Sequence, residues 1–127
     1  MYTDNPSPIH HKSNKINHYL KIVDYFISES CPEYFAVEPL LGSYEPDVLY
    51  KDHFNRSVCV EIQLTKISNK RMQDKIDRFV KECGITHDSK LLVLVSDFNY
   101  KLTIDPRFKL IRKPIPGEVN LSTNDPN

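Results

Sequence analysis

The sequence lacks an excess of charge of either sign. Its 127 residues include 17 Lys and Arg against 17 Asp and Glu, so the formal net charge is zero. Proteins that bind nucleic acid tightly and without sequence preference usually carry a strongly basic surface. That class is therefore disfavoured, and any contact with DNA would have to come from a local basic patch. A chain of this length predicts one domain with a single core.

Cysteine is scarce and irregularly spaced. Cys31, Cys59 and Cys83 are odd in number and form no C-x-x-C pair, which argues against a disulfide framework and against a zinc site. Cys59 and Cys83 fall in apolar patterns, where a free cysteine behaves as a small hydrophobic residue.

Targeting and membrane-spanning signals are also missing. The N-terminus has no apolar signal-peptide core, and no apolar run approaches the ~18 residues of a membrane span. We therefore expect a cytoplasmic protein with no membrane contact.

The remaining pattern predicts an α/β domain over residues 14–113, between a flexible leader at 1–13 and an unstructured tail at 114–127. Its first helix is expected over about residues 15–29. The apolar residues of that helix recur at helical spacing and include Ile16, Leu20, Val23 and Ile27.

A mixed central β-sheet flanked by helices is the predicted architecture. Tyr34–Glu38 begins the sheet, and Lys90–Ser96 is a near-continuous apolar run of the kind found in strands covered on both faces. A helix over Ile67–Cys83 links this run to an earlier strand at Val58–Leu64, and such a crossover makes the two strands parallel. Phe108–Ile111 predicts a short edge strand.

Two neighbouring strands of a predicted hairpin each carry a carboxylate that strand propensity does not explain. Asp47 begins one strand, Glu61 lies in the other, and the polar segment Lys51–Arg56 forms the turn. If the hairpin folds about residue 54, paired residue numbers sum to 108 and Asp47 lies opposite Glu61. Directly opposed residues have Cβ atoms about 5 Å apart.

Side-chain alternation separates the second hairpin strand into two faces. Cys59, Glu61, Gln63 and Thr65 share one face, and Val58, Val60, Ile62 and Leu64 share the other. Two opposed carboxylates repel unless a cation lies between them. With the neutral oxygen of Gln63, they would suit a hard divalent ion such as Mg²⁺. In the competing interpretation the sheet has one solvated face, and Glu61 and Gln63 are ordinary surface residues.

The connecting helix has recognisable ends and one apolar stripe. Ser68 predicts its N-cap and Gly84 its C-terminal end. The stripe expected to be buried consists of Met72, Ile76, Phe79, Val80 and Cys83.

Basic residues outnumber acidic residues by six to three in and just before this helix. The basic residues are Lys66, Lys70, Arg71, Lys75, Arg78 and Lys81. Arg71, Lys75 and Arg78 form a ridge that would meet phosphates near the carboxylates. Alternatively, the helix has an ordinary solvated face with i,i+4 ion pairs such as Asp74–Arg78.

Together these segments resemble the core of the PD-(D/E)XK nuclease superfamily over about residues 17–97. The resemblance to the nuclease-like domain of CoiA-type competence proteins lies in Pro46-Asp47-Val48, Glu61-Ile62-Gln63 and Ile67-Ser68. The resemblance to the replication-relaxation family of plasmids and conjugative elements lies in His18–Asp24, Glu38 and Pro46-Asp47.

The resemblance implies a restriction-endonuclease-like αβββαβ core and metal-dependent hydrolysis of DNA phosphodiester bonds. Asp47, Glu61 and the main-chain carbonyl of Ile62 would hold Mg²⁺ or Mn²⁺, with Glu38 as a further ligand. Gln63 stands where the superfamily usually has a lysine, and would orient the attacking water. Lys75 or Lys66 could supply the missing positive charge. DNA contacts would come from Lys66, Lys70, Arg71, Lys75 and Arg78.

Other functions remain open at this point. A catalytically inactive copy of the fold would bind DNA or a protein partner in replication, conjugation or competence, and Gln63 and the neutral net charge favour it. An unrelated α/β interaction protein would have Asp47 and Glu61 on different faces or far apart. The active form would come from a phage, plasmid or other mobile element. A homodimer is compatible with this size, although the sequence identifies no interface.

Overall fold

The computed structural model of the chain describes residues 7–85 and 89–117. Within these residues, two helices and five strands form an α/β arrangement. In chain order they are α1 (Ser7–Ser28), β1 (Ala36–Val37), β2 (Val48–Lys51), β3 (Ser57–Ile62), α2 (Asn69–Ile85), β4 (Leu91–Val95) and β5 (Lys109–Lys113). Residues 114–117 follow β5 without regular structure, and the rest of the predicted tail lies outside the described residues.

The five strands form one mixed sheet in the order β1-β2-β3-β4-β5. The β1–β2 and β2–β3 pairs are antiparallel, whereas the β3–β4 and β4–β5 pairs are parallel. All five residues of β4 are buried, as expected of a strand covered on both faces. The predicted mixed sheet flanked by helices is therefore confirmed. No helix among the described residues is long and apolar enough to cross a membrane.

The register of the hairpin is the predicted one. Val48 pairs with Val60, so paired residue numbers sum to 108. The regular pairing ends at Val48–Val60, because the amide of Asp47 donates to the carbonyl of Val60, at 2.9 Å, instead of to that of Glu61. Asp47 therefore lies just beyond the last regular pair, close enough to Glu61 for the two carboxylates to repel each other.

The two faces of β3 pack against different helices. Val60 and Ile62 lie in a cluster with Ile22 of α1, whereas Cys59 lies in a cluster with Phe79 of α2. The predicted alternation is confirmed, but neither face is solvated. The residues that share a face with Glu61 therefore point toward α2.

Helix α2 begins as predicted and ends slightly later. The Ser68 hydroxyl accepts a hydrogen bond from the amide of Arg71 at 3.1 Å, which is an N-cap interaction. Gly84 does not end the helix, which continues to Ile85, because Gly84 does not take the left-handed φ of a glycine cap. The fully buried side chains of the predicted stripe are Met72, Ile76, Phe79 and Cys83.

Helix α1 differs from the prediction at its start. It begins at Ser7 rather than near residue 15, so the predicted leader is helical from Ser7 onward, and residues 1–6 lie outside the described part. Pro8 lies in the first turn, where its missing N–H costs no helical hydrogen bond.

The buried face of α1 also differs from the predicted apolar stripe. Ile22 and Tyr25 are buried, whereas Ile16, Leu20, Val23 and Ile27 are exposed. Polar and aromatic contacts orient the helix this way. The Tyr25 hydroxyl hydrogen-bonds to the Tyr50 hydroxyl at 3.0 Å, and the Phe26 ring meets the Phe35 ring edge-on.

The N-cap of α2 is testable by substitution. Ser68→Ala should lower the free energy of unfolding by about 1 kcal/mol, because the amide of Arg71 loses its acceptor. Ser68→Asp is the matched control and should retain most of the stability, since aspartate is an equally good N-cap. Urea denaturation measures both; equal losses in the two variants would show that the cap is not what stabilises this end.

Candidate functional site

Asp47 lies where three elements meet at the end of β3. Its Oδ2 accepts a hydrogen bond from the amide of Ile62 at 2.6 Å, and its Oδ1 lies 3.2 Å from Nε2 of His18 on α1. Its main-chain carbonyl accepts a hydrogen bond from the amide of Glu38 at 2.9 Å. Asp47 therefore links α1 and the segment after β1 to β3.

His18 contacts two of the groups that the sequence assigned to a metal. Its hydrogen bond to Asp47 raises the pKa of the imidazole, burial opposes this, and a hydrogen bond to the main chain of Ile62 raises the pKa further. A protonated His18 thus supplies positive charge beside the Asp47 carboxylate. Sequence reasoning placed His18 in the first helix without assigning it to the site, because nothing local to α1 marks it.

Glu38 completes a cluster of possible metal ligands. One ligand atom each from His18, Glu38 and Asp47 lies within 4.8 Å of the others. Glu38 has a φ of +53°, a conformation that costs a non-glycine residue about 1 kcal/mol or more. Its carboxylate accepts a hydrogen bond from the Tyr19 hydroxyl at 3.0 Å. Two carboxylates and an imidazole form a donor set that suits a divalent cation.

Glu61 is buried next to this cluster, with only 5% of its surface exposed. The Tyr44 hydroxyl donates to its Oε2 at 2.7 Å, and Nζ of Lys75 lies 3.9 Å from its Oε1. Burial, and then repulsion by Asp47, raise the pKa of Glu61 to about 7, while Lys75 and Tyr44 lower it. The expectation that Glu61 could be an ordinary solvated residue is wrong.

The structure groups the predicted carboxylates in an unexpected way. Asp47 is close enough to Glu61 to repel it, yet within the described residues the ligand cluster pairs Asp47 with His18 and Glu38 rather than with Glu61. The reason is that Glu61 points toward α2, where Tyr44 binds one of its oxygens. Tyr44 comes from the loop between β1 and β2, and sequence reasoning missed it because its role depends on tertiary packing.

Lys75 contacts Gln63 and lies close to Glu61. Its Nζ donates to Oε1 of Gln63 at 3.2 Å and lies near Glu61. The Gln63 amide nitrogen donates to the carbonyl of Thr65 at 2.8 Å, which fixes the orientation of the amide. A cavity of about 410 Å³ opens beside Lys75, Gln63, Asp47 and His18.

The other predicted DNA-contacting residues do not enter the site. Lys70 is 85% exposed, and its Nζ lies 3.7 Å from Oδ2 of Asp74. The i,i+4 pair that Asp74 makes is therefore with Lys70 and not with Arg78, the pair named in the alternative interpretation. Lys66, Arg71 and Arg78 are exposed. Only Lys75 of the predicted basic set contacts the carboxylates among the described residues, and the rest remain on the surface of α2 and the segment before it.

Comparison with protein-family models finds no matching family, and comparisons with curated proteins and with solved structures find no match. The chemistry of the site must therefore be argued from its own residues.

The raised pKa of Glu61 predicts how stability depends on pH. The stabilisation that protonated Glu61 contributes to folding is complete below about pH 4.5, and it is lost as the pH rises through about 7. Glu61→Gln should remove this dependence, which is on the order of 3 kcal/mol. Urea denaturation of both proteins at about pH 5 and about pH 8 measures the difference.

His18 also has a raised pKa and therefore contributes with the same sign, but it is present in both proteins. Parallel changes in the stability of parent and variant would show that Glu61 titrates normally.

Proposed function

We propose that this protein is a metal-dependent DNA nuclease of the PD-(D/E)XK type. The observation that carries the proposal is the set of ligand atoms from His18, Glu38 and Asp47 within 4.8 Å of one another. They lie beside a buried glutamate, Glu61, at the end of a central strand. Such a concentration of ionisable groups, with His18 and Asp47 facing a cavity, is typical of functional sites.

The order of elements supports the nuclease type. A helix, three antiparallel strands, a crossover helix and a parallel strand follow one another along the chain. This order supports a restriction-endonuclease-like αβββαβ core, in which Asp47 and Glu61 would be the acidic residues.

The ligand atoms of the cluster indicate which metal ion the site would hold. Asp47 and Glu38 would provide carboxylate oxygens and His18, on losing its proton to metal binding, an imidazole nitrogen, with the main-chain oxygen of Ile62 nearby. Mg²⁺ prefers oxygen ligands, and an imidazole suits transition-metal ions better, so Mn²⁺ fits this set at least as well as Mg²⁺. A bound divalent cation would lower the pKa of a water molecule and stabilise charge on the scissile phosphate.

The protein's own residues would supply the remaining functions. Lys75 provides the positive charge that Gln63 lacks, from a position 3.2 Å from the Gln63 side chain. Gln63 is held by Thr65 on its other side, so its amide can orient a water molecule in the cavity. Glu61, with a pKa of about 7, can accept or donate a proton near neutral pH.

A second candidate function is a catalytically inactive module of the same fold that binds DNA or a protein partner. The hydrogen bond from Tyr44 to Glu61 favours it, because one carboxylate oxygen of Glu61 is already occupied. Gln63 in place of a lysine points the same way.

Metal binding is the first test of the proposal. Asp47→Asn should weaken Mn²⁺ binding at least tenfold, because the cluster loses one of its two charged carboxylate ligands. Calorimetric titration of Mn²⁺ and Mg²⁺ into the parent and the variant measures this. Glu33→Gln removes an exposed carboxylate and is the matched control. Equal affinities for the parent and Asp47→Asn would exclude the metal site.

Cleavage separates the two candidate functions. The parent should hydrolyse DNA only when Mn²⁺ or Mg²⁺ is present, and Lys75→Ala should slow this about 100-fold, since the site loses the lysine charge beside Glu61 and Gln63. Lys70→Ala, on the solvated face, should cleave normally. A protein that binds metal but cleaves no linear, branched or single-stranded DNA would belong to the inactive class.

DNA binding tests the exposed basic ridge of α2. Reversing the charges of Arg71 and Arg78 should weaken binding and reduce the slope of log affinity against log salt concentration, because fewer counterions are released. Lys109→Glu, on the exposed edge strand β5, is the control. An unchanged salt slope would show that the ridge is only a solvated helix face.

A further inference from the structure

The outer face of α1 carries a continuous apolar stripe. Ile16, Leu20, Val23 and Ile27 are 55%, 55%, 50% and 41% exposed. Together they expose on the order of 300 to 400 Å² of apolar surface, a patch size that often marks an interaction site on a monomer. The stripe lies opposite the face that packs on the sheet through Ile22 and Tyr25.

The spacing of the stripe indicates what covers it. Its residues follow one another at intervals of four, three and four, which is the a/d repeat of a coiled-coil seam. This spacing fits another helix as the occupant. The order of the intervals is the same when read in either direction, so the stripe is complementary to itself in an antiparallel arrangement.

We propose that this stripe is the interface between two copies of the chain, with their α1 helices packed antiparallel about a two-fold axis. Leu20 then meets Val23 of the second copy, and Ile16 meets Ile27. Such an isologous interface is the commonest form of oligomer symmetry. The proposal concerns the outer face of α1 and does not depend on the carboxylate site.

The flanks of the stripe fit this arrangement. One edge carries Tyr19 and Phe26, which Glu38 and Phe35 hold within their own chain. The other edge carries Asn17 and Asp24, so each Asp24 lies beside the amide of Asn17 of the second copy instead of another carboxylate. Asp24 also has its own cation, since Lys21 lies 3.5 Å away.

Few apolar residues of this sequence lie outside the described part. Apart from Pro6 and Pro126, the segments 1–6, 86–88 and 118–127 contain Met1, Tyr2, Val119 and Leu121. Because the stripe faces away from the sheet, two copies can approach with their domains on opposite sides of the helix pair. The interface is small compared with the roughly 800 Å² per partner of standard complexes, so we expect dissociation in the micromolar range.

Sedimentation equilibrium from about 1 μM to about 1 mM tests the proposal. The parent should pass from monomer to dimer, and Leu20→Glu should raise the dissociation constant at least 100-fold. Leu40→Glu is the matched control, because Leu40 is also exposed but lies in a loop that contacts α2 through the Ser43–Glu82 hydrogen bond. A parent that stays monomeric, or a Leu20→Glu variant that dimerises normally, would overturn the proposal.

Cross-linking tests the antiparallel arrangement. In a Cys31→Ser background, where the remaining cysteines are buried, Leu20→Cys and Val23→Cys proteins are mixed and oxidised. Disulfides between the two different variants should exceed those between identical variants, because only opposed residues come within bonding distance. A majority of Leu20→Cys homodimers would show parallel helices and contradict the arrangement.

Discussion

The Asp47 carboxylate is the interaction on which the rest of the site depends. Its Oδ2 accepts a hydrogen bond from the amide of Ile62 at 2.6 Å, and its Oδ1 binds His18. Charged acceptors form the stronger class of hydrogen bonds, and here one carboxylate joins the first helix to the central strand. The Asp47 main chain also positions Glu38. Removing this side chain would remove the hydrogen bonds that fix His18 relative to β3.

The second constraint is electrostatic. Burying Glu61 beside Asp47 costs free energy whenever both carboxylates are ionised, and Tyr44 and Lys75 offset only part of that cost. Free energy stored in this way is common where a protein binds a cation or moves a proton. Tyr44 comes from the loop that precedes β2 and Lys75 from α2, so the local charge balance depends on two elements that pack together on one face of the sheet.

Short-range rules predicted much of the fold. Two-residue alternation gave the faces of β3, and the polar turn gave the hairpin register, because both depend on neighbouring residues in the chain. The N-cap at Ser68 was predictable for the same reason. The buried face of α1 was not, since that helix is apolar on two sides. The tyrosine pair Tyr25–Tyr50 selects which side faces the sheet.

The candidate site also has one part that could be predicted from the sequence and one part that could not. The sequence by itself determined that Asp47 and Glu61 come close together at neighbouring strands, because register follows from turn position and alternation. Only the tertiary structure decided that His18 and Glu38 join Asp47 in one cluster, while Glu61 turns to Tyr44 and Lys75. These contacts join residues on different elements, and their geometry depends on how helices pack on the two faces of the sheet. No local sequence pattern contains that information.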